Sequence, residues 1–375
     1  MKQGHGLAQR VETRVRSAWA ERPGAALRIA SAGFATATGV RNLLYDSGVF
    51  AARQAPVPVV SVGGLTVGGS GKTPITADIG ARLSGAGIPT AILTHGFADE
   101  MDVHRRSSPG SRVYGGQDRL SLAREAAAAG ARIVVLDSGF QHRRLHRDLD
   151  ILTVDVATIG RRLEYLPAGP YREGLASLAR ADLVVAVRRS ILDPRAASDA
   201  TVRLADQGRP WLDRLGDAPG SPLFVSARIQ PGSLVAANDA AQAVEDPCPK
   251  VAVAGIMWPE VFFAQVKLLT SGIRETVGLR DHARLGASLA GALQTLAGDC
   301  GIVCTLKDVM KLVRALGGHI PIWYLSEEVI WEEPGTPPLD EYSLYVRGGR
   351  DAVAGRSGRC HAGTFLGRQT QSDND

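Results

Sequence analysis

One glycine-rich stretch constrains this chain more than any other. Val59-Val60-Ser61-Val62 is a mostly β-branched run, and Gly63-Gly64-Leu65-Thr66-Val67-Gly68-Gly69-Ser70 follows it. Gly71-Lys72-Thr73-Pro74 then opens a helical pattern through Ile75, Ile79 and Leu83. Strand, glycine loop and helix in that order are the context of a phosphate-binding P-loop. Glycines let backbone N–H groups turn inward around an anion, and the helix N-terminus adds partial positive charge. The spacing therefore assigns Thr66, Val67, Gly68, Gly69, Ser70, Gly71, Lys72 and Thr73 to a bound nucleotide. Lys72 is expected to reach its β- and γ-phosphates and the Thr73 hydroxyl to hold Mg²⁺. Thr66 stands where the general pattern has glycine. The competing reading is a glycine-rich turn with an accidental Gly-Lys-Thr.

Around this loop, short β-branched runs alternate with helical stretches, the pattern of a parallel sheet covered by helices. Residues 90–94, 132–136, 151–154 and 183–187 read as strands, and 118–129 as an alanine-rich helix stopped by Gly130. Pro194, Pro210, Pro219 and Pro222 break the pattern before a connecting strand at 223–227. A second α/β unit follows, with strands at 251–254, 275–279, 302–305 and 322–325 and helices at 260–269, 287–297 and 308–316. The expected architecture is α/β, a P-loop NTPase-type, mostly parallel sheet with helices on both faces, plus a second, smaller α/β domain and an N-terminal helix. Its expected parts are a basic, helical segment 1–55, a nucleotide-binding domain 56–222 and a connecting segment 223–249. A second domain 250–331 and a poorly packed tail 332–375, rich in Gly, Arg, Ser and Pro, complete the chain.

With 45% hydrophobic and 22% charged residues over 375, composition describes an ordinary soluble protein. A net charge of +5 is too small to argue nucleic-acid binding, and no interleaving of basic and aromatic residues suggests it. Cys248, Cys300, Cys304 and Cys360 complete no metal-binding pattern and are expected to be free thiols. No secretory signal is expected at the N-terminus. A basic segment (Lys2, Arg10, Arg14, Arg16, Arg22, Arg28) instead leads into the uncharged stretch 29–40. That stretch is about half the ~20 residues needed to span a bilayer. It either lies in a membrane interface, with Arg28 and Arg41 at anionic head groups, or packs on the core.

Ligands bind at the C-terminal ends of strands in open α/β sheets. There, Asp137 follows an apolar strand, the place of a Walker B carboxylate that holds Mg²⁺; a turn cap is the alternative. The loop Leu166-Pro167-Ala168-Gly169-Pro170-Tyr171-Arg172-Glu173 carries a cation, Arg172, for a phosphate or for a surface pair. Asp281-His282 falls just after a strand of the second unit, for a loop hydrogen bond or for catalysis.

Together these residues resemble the tetraacyldisaccharide 4'-kinases, the lipid A 4'-kinase family, in order from about Leu27 to Trp331. The loop 65–74 resembles the family's P-loop, which also tolerates Thr. Asp137-Ser138-Gly139-Phe140-Gln141-His142 resembles Asp-Asp-Gly-Phe-Gln-His, and 166–173 resembles Leu-Pro-Ala-Gly-Pro-x-Arg-Glu. Ala254-Gly255-Ile256 with Pro259 and Phe262-Phe263, and Thr305-Leu306-Lys307-Asp308, are similar to two further family elements. The resemblance implies Mg·ATP-dependent phosphorylation of the 4'-hydroxyl of a lipid A disaccharide precursor. It implies a peripheral protein on the cytoplasmic face of the bacterial inner membrane, attached through its N-terminal helix. Gln141, His142 and Arg172 become substrate-binding candidates, Thr73 and Asp137 metal ligands, and Asp118, Asp137 and His282 catalytic candidates.

Departures from the family pattern set up an alternative. Its Ser-Arg-Gly-Tyr-Gly is here Thr94-His95-Gly96-Phe97-Ala98, and its paired aspartates are Asp137-Ser138. Its Asp-His-His is Asp281-His282-Ala283, and its Gly-Asp-Glu-Pro, whose Asp serves catalysis, aligns with Gly116-Gln117-Asp118-Arg119. A glutamine accepts no proton at neutral pH, so Asp118 is expected to substitute. The alternative is a catalytically impaired, nucleotide-binding paralogue with a regulatory or scaffolding role.

Overall fold

The computed structural model describes residues 23–158, 164–189, 222–256, 259–279 and 285–332. Its first helix, α1 (Ala25–Asp46), is longer at both ends than the uncharged stretch 29–40. Strand β1 (Val59–Gly64) and helix α2 (Lys72–Gly85) flank the glycine loop as expected. Next come β2 (Thr90–Thr94), α3 (Ala98–Ser107), β3 (Arg112–Gly115), α4 (Arg119–Ala128), β4 (Ile133–Asp137), β5 (Leu149–Asp155) and β6 (Leu183–Arg188).

Helix α3 and strand β3 escape the sequence reading. Ala98–Ser107 has no apolar periodicity, only Val103 and His104 being buried. What marks it as a helix is charge: Asp99 and Glu100 in the first turn and His104, Arg105 and Arg106 in the last complement the helix dipole.

Strands β3-β2-β4-β1-β5-β6 lie side by side and pair in parallel. Parallel strands are covered on both faces, and β1, β2, β4 and β6 are buried throughout. On one face Val60, Val62, Ile92 and Val135 pack against Ile75, Ile79 and Leu83 of α2. On the other, Val59, Leu93 and Leu136 pack against Leu120, Ala123 and Ala126 of α4.

The connecting segment does more than connect. Strand β7 (Leu223–Ala236) extends well past 223–227 and pairs in parallel with β6. It also pairs in antiparallel fashion with β11 (Ile322–Trp331). The second unit contributes β8 (Val251–Ala254), α5 (Pro259–Leu269), β9 (Glu275–Gly278), α6 (Ala287–Ala297), β10 (Ile302–Thr305) and α7 (Val309–Leu316). The order β6-β7-β11-β10-β8-β9 completes one sheet of eleven strands among the described residues. The direction reverses only at β7–β11, so the two halves present their strand C-termini in opposite senses. Residues 281–282 and 333–375 lie outside the described residues.

Candidate active site

The glycine loop takes the form that its composition requires. Gly68, Gly69 and Gly71 have φ of 66°, 67° and 81°, where a side chain is strained. Gly71 is the N-cap of α2, and a Cβ there would lie 2.8 Å from Val187 Cγ1. Thr66 needs no glycine. Its backbone has no positive φ, it forms an antiparallel bridge with Tyr171, and a β-branched residue suits such extended backbone. The loop 164–173 braces this half of the P-loop, with Val67 N donating to Pro170 O (2.9 Å) and Arg172 N to Leu65 O (2.7 Å).

Lys72 begins α2 with its Nζ donating to Ser70 Oγ at 3.0 Å. Burial, and then the neighbouring Arg172, pull its pKa down to about 8. A phosphate would reverse both effects, since it supplies the missing counter-charge. Thr73 Oγ1 donates to Asp137 Oδ2 at 3.1 Å, so α2 and the end of β4 meet beneath the loop.

Asp137 is almost completely buried. Burial alone would raise its pKa, but hydrogen bonds from His104 and Ser138 and the charges of His104 and Lys72 bring it down to about 2. His104 Nε2 lies 2.8 Å from Oδ2, and Ser138 Oγ donates to Oδ1 at 3.1 Å. A hydroxyl beside an ionised carboxylate fits Mg²⁺, a hard cation that keeps several waters and binds through few protein oxygens plus substrate phosphates. No cluster of three or more His, Cys, Asp and Glu able to hold a metal occurs among the described residues.

Helix α3 presents its first turn to this centre. Glu100 lies close enough to Lys72 and Arg119 for its charge to raise both pKa values. Asp99 Oδ1 accepts the Glu100 N–H at 3.1 Å. Arg119 is buried and donates to Gly116 O (2.8 Å) and to His95 Nδ1 (3.0 Å). Asp118 and Gln117, one and two positions earlier, are exposed. Asp118 is the N-cap of α4, accepting from Ser121 N (3.2 Å) and Ser121 Oγ (2.7 Å). The expected proton-handling carboxylate therefore faces water as a helix cap, and the adjacent arginine faces the site. The Asp-Glu pair of the family element has a second match in Ala98-Asp99-Glu100-Met101, at the head of α3. Sequence reasoning missed it because α3 itself was missed.

The three substrate candidates are placed differently. Arg172 is largely buried, which lowers its pKa, and its charge is felt by Lys72 and His95. Burial, and then Arg119 and Arg147, drop His142 to about 4, so its imidazole is neutral at pH 7. Gln141 is partly committed to structure, since its Nε2 donates to Gly64 O at 3.0 Å. His282 lies outside the described residues.

Helix α1 is fastened to the same loop. Arg41 Nη2 (3.2 Å) and Asn42 Nδ2 (3.0 Å) donate to the buried carboxylate of Glu173, next to Arg172. Arg143 reaches Asn42 O (3.0 Å) and Asp46 (2.6 Å) and stacks over Tyr45. Arg41 thus turns inward rather than toward head groups, because Glu173 is a buried charge that needs partners. Arg28 is exposed, and so are Ile29 (74%), Val40 (53%) and Leu43 (65%) on the outside of α1. No helix among the described residues is long and apolar enough to cross a membrane.

Known proteins resemble this chain in sequence and in fold. The family model described as tetraacyldisaccharide-1-P 4'-kinase (LpxK) matches residues 24–113 and 103–340. A protein named tetraacyldisaccharide 4'-kinase from Anaeromyxobacter sp. (strain K) is 35% identical over 339 residues, covering 80% of this chain and 85% of that protein. One of the same name from Chlorobaculum parvum is 33% identical over 284 residues, covering 68% and 74%. The crystal structure of the "apo" form of LpxK from Aquifex aeolicus in complex with ATP superposes with a TM-score of 0.59. At 23% identity, over 85% of this chain and 96% of that one, it supports the fold. On the family model and these relatives, the chain belongs to the tetraacyldisaccharide-1-P 4'-kinase family.

Proposed function

We propose that this protein transfers the γ-phosphoryl group of ATP to the 4'-hydroxyl of a tetraacyldisaccharide 1-phosphate in lipid A biosynthesis. The observation that carries the reading is the Lys72–Thr73–Asp137 constellation under the P-loop, built on the buried Asp137, with the charge of Glu100 acting on Lys72 from α3. Phosphoryl transfer asks a protein mainly to position reactants and stabilise charge. The loop N–H groups and Lys72 bind the phosphates. Thr73 and Asp137 would hold Mg²⁺, which neutralises charge on the β- and γ-oxygens when bound. Asp137 remains ionised across the physiological range, as a metal-linked carboxylate must.

Asp99 and Glu100 take over from Asp118 as candidates to accept the sugar hydroxyl proton. Arg172 and Arg119 bring fixed positive charge to the transferring phosphoryl and the acceptor, and neutral His142 offers a hydrogen bond. His282 stays a candidate on the acceptor side, after β9. The apolar outer face of α1 seats the protein on the cytoplasmic leaflet of the inner membrane, with Arg28 near anionic head groups. The impaired-paralogue alternative rests on Gln117 in place of an acid, together with the departures at His95, Ser138 and Ala283. Gln117 is exposed, and an Asp-Glu pair stands at α3 instead.

The test is radiolabelled transfer from ATP to the tetraacyl disaccharide by purified protein. Wild type is expected to turn over, Asp118→Asn to match it, and Asp99→Asn or Glu100→Gln to lose about 10²–10⁴-fold. A wild-type protein that binds ATP without transfer would reinstate the alternative. Loss confined to Asp118→Asn would return the base to the cap of α4.

A further inference from the structure

Helix α3 holds a buried group that the reading above does not use. His104 is completely buried, with Nε2 2.8 Å from Asp137 Oδ2. Its Nδ1 is also buried and has no partner. That arrangement is costly, because a buried polar atom without a hydrogen bond forfeits its hydration. A leucine would fill the position without the cost, so packing does not account for the imidazole. What it supplies is an N–H aimed at one oxygen of the carboxylate.

We infer that His104 is a positioning residue for the divalent cation, locking Asp137 in orientation and tying α3 to it. This inference rests on the metal role proposed for Asp137. Asp137 Oδ2 takes donors from both His104 and Thr73, while Oδ1 takes only the Ser138 hydroxyl. The His104 hydrogen bond therefore keeps the carboxylate from swinging when the Thr73 hydroxyl turns its lone pairs to a cation. Such partners of ligating carboxylates set metal affinity. His104 is also one helical turn after Glu100, on the same face of α3, so one contact fixes the metal carboxylate relative to the acceptor-side acid.

The experiment measures ATP affinity by calorimetry with Mg²⁺ and with EDTA for wild type, His104→Leu, His104→Gln and Asp137→Asn, alongside thermal melts. His104→Leu is expected to lose about tenfold of the Mg²⁺-dependent gain in affinity, with EDTA affinity of the folded protein maintained. The melts record separately the loss of a donor to a buried carboxylate. Gln, which can donate from the same helical position, should restore most of the gain. Two results would overturn the inference: a full Mg²⁺-dependent gain in His104→Leu, or Gln no better than Leu. If Asp137→Asn keeps the gain, the metal reading of Asp137 falls, and this inference with it. If Asp137→Asn loses it and His104→Leu does not, only this inference falls.

Discussion

Two buried aspartates, one in each half of the sheet, show how the same residue serves opposite ends. Asp137 ends β4, and its hydrogen-bond donors are His104, Thr73 and Ser138 beside the P-loop. Asp308 follows β10 in the second unit and is fully buried. Its Oδ2 accepts from Gly255 N (2.7 Å) and Thr305 Oγ1 (2.5 Å), and Lys311 Nζ lies 2.7 Å from Oδ1. Asp308 staples two motif segments, Ala254-Gly255-Ile256 and Thr305-Leu306-Lys307-Asp308, to one another. Its partners, the Gly255 N–H, the Thr305 hydroxyl and the Lys311 ammonium, all belong to the second unit itself. The donors of Asp137 are themselves site groups, and one of them, the Thr73 hydroxyl, can serve a cation. A buried carboxylate becomes a site when the groups around it can be recruited by a ligand.

The sharpest break of this comparison is exchange of function for stability. Asp137→Asn or Lys72→Ala should reduce transfer by about 10²–10⁴-fold, as loss of a charge-stabilising group does. The loss in urea midpoint should be the smaller effect, since Asn still offers His104 and Thr73 a hydrogen-bond acceptor. Asp308→Ala should do the reverse. Removing one partner of a buried pair costs about 3–5 kcal/mol, readable as a lower urea midpoint, while ATP affinity of the folded fraction persists. Equal stability losses at the two aspartates would erase the distinction.

A smaller effect comes from pH. Lys72 of the free protein titrates near 8. Below that pH the ammonium is already present, and affinity for ATP should not depend on this group. Above it, binding must take up a proton, so affinity should fall by up to about tenfold per pH unit. Calorimetry in buffers of different ionisation enthalpy would show the uptake, and proton release on binding would contradict the lowered pKa.

The smallest effect is expected at α1. Arg41 is partly exposed and Glu173 keeps Arg180 at 2.8 Å. Arg41→Ala should therefore cost no more than about 1 kcal/mol of stability. Because Glu173 adjoins Arg172, KM for the lipid acceptor should rise with ATP affinity unchanged. Ile29→Asp with Leu43→Asp should instead reduce co-sedimentation with anionic vesicles, and unchanged pelleting would make α1 purely structural.

Much of this was legible beforehand wherever the determinants are contiguous. The strand, glycine loop and helix from Val59 to Leu83 are set by local backbone physics, since only glycine reaches the positive φ at 68, 69 and 71 without strain. Asp137 is readable as the residue that ends a buried β-branched strand. Strands β8 and β10 and helix α6 fall where their apolar patterns place them. Other features could be settled only by tertiary structure. Asp118 and Arg119 are neighbours, and which of them turns inward depends on where the α4 cap sits above β2 and β3. Arg41 is turned by Glu173, 132 residues away in sequence. Helix α3 carries a polar sequence because it faces a charged site, and His104 meets Asp137 only once that helix is packed beside α2 and against β2 and β3. Chain-local geometry is encoded by neighbours in sequence. The facing of a polar side chain is decided by whichever charge the fold brings opposite it.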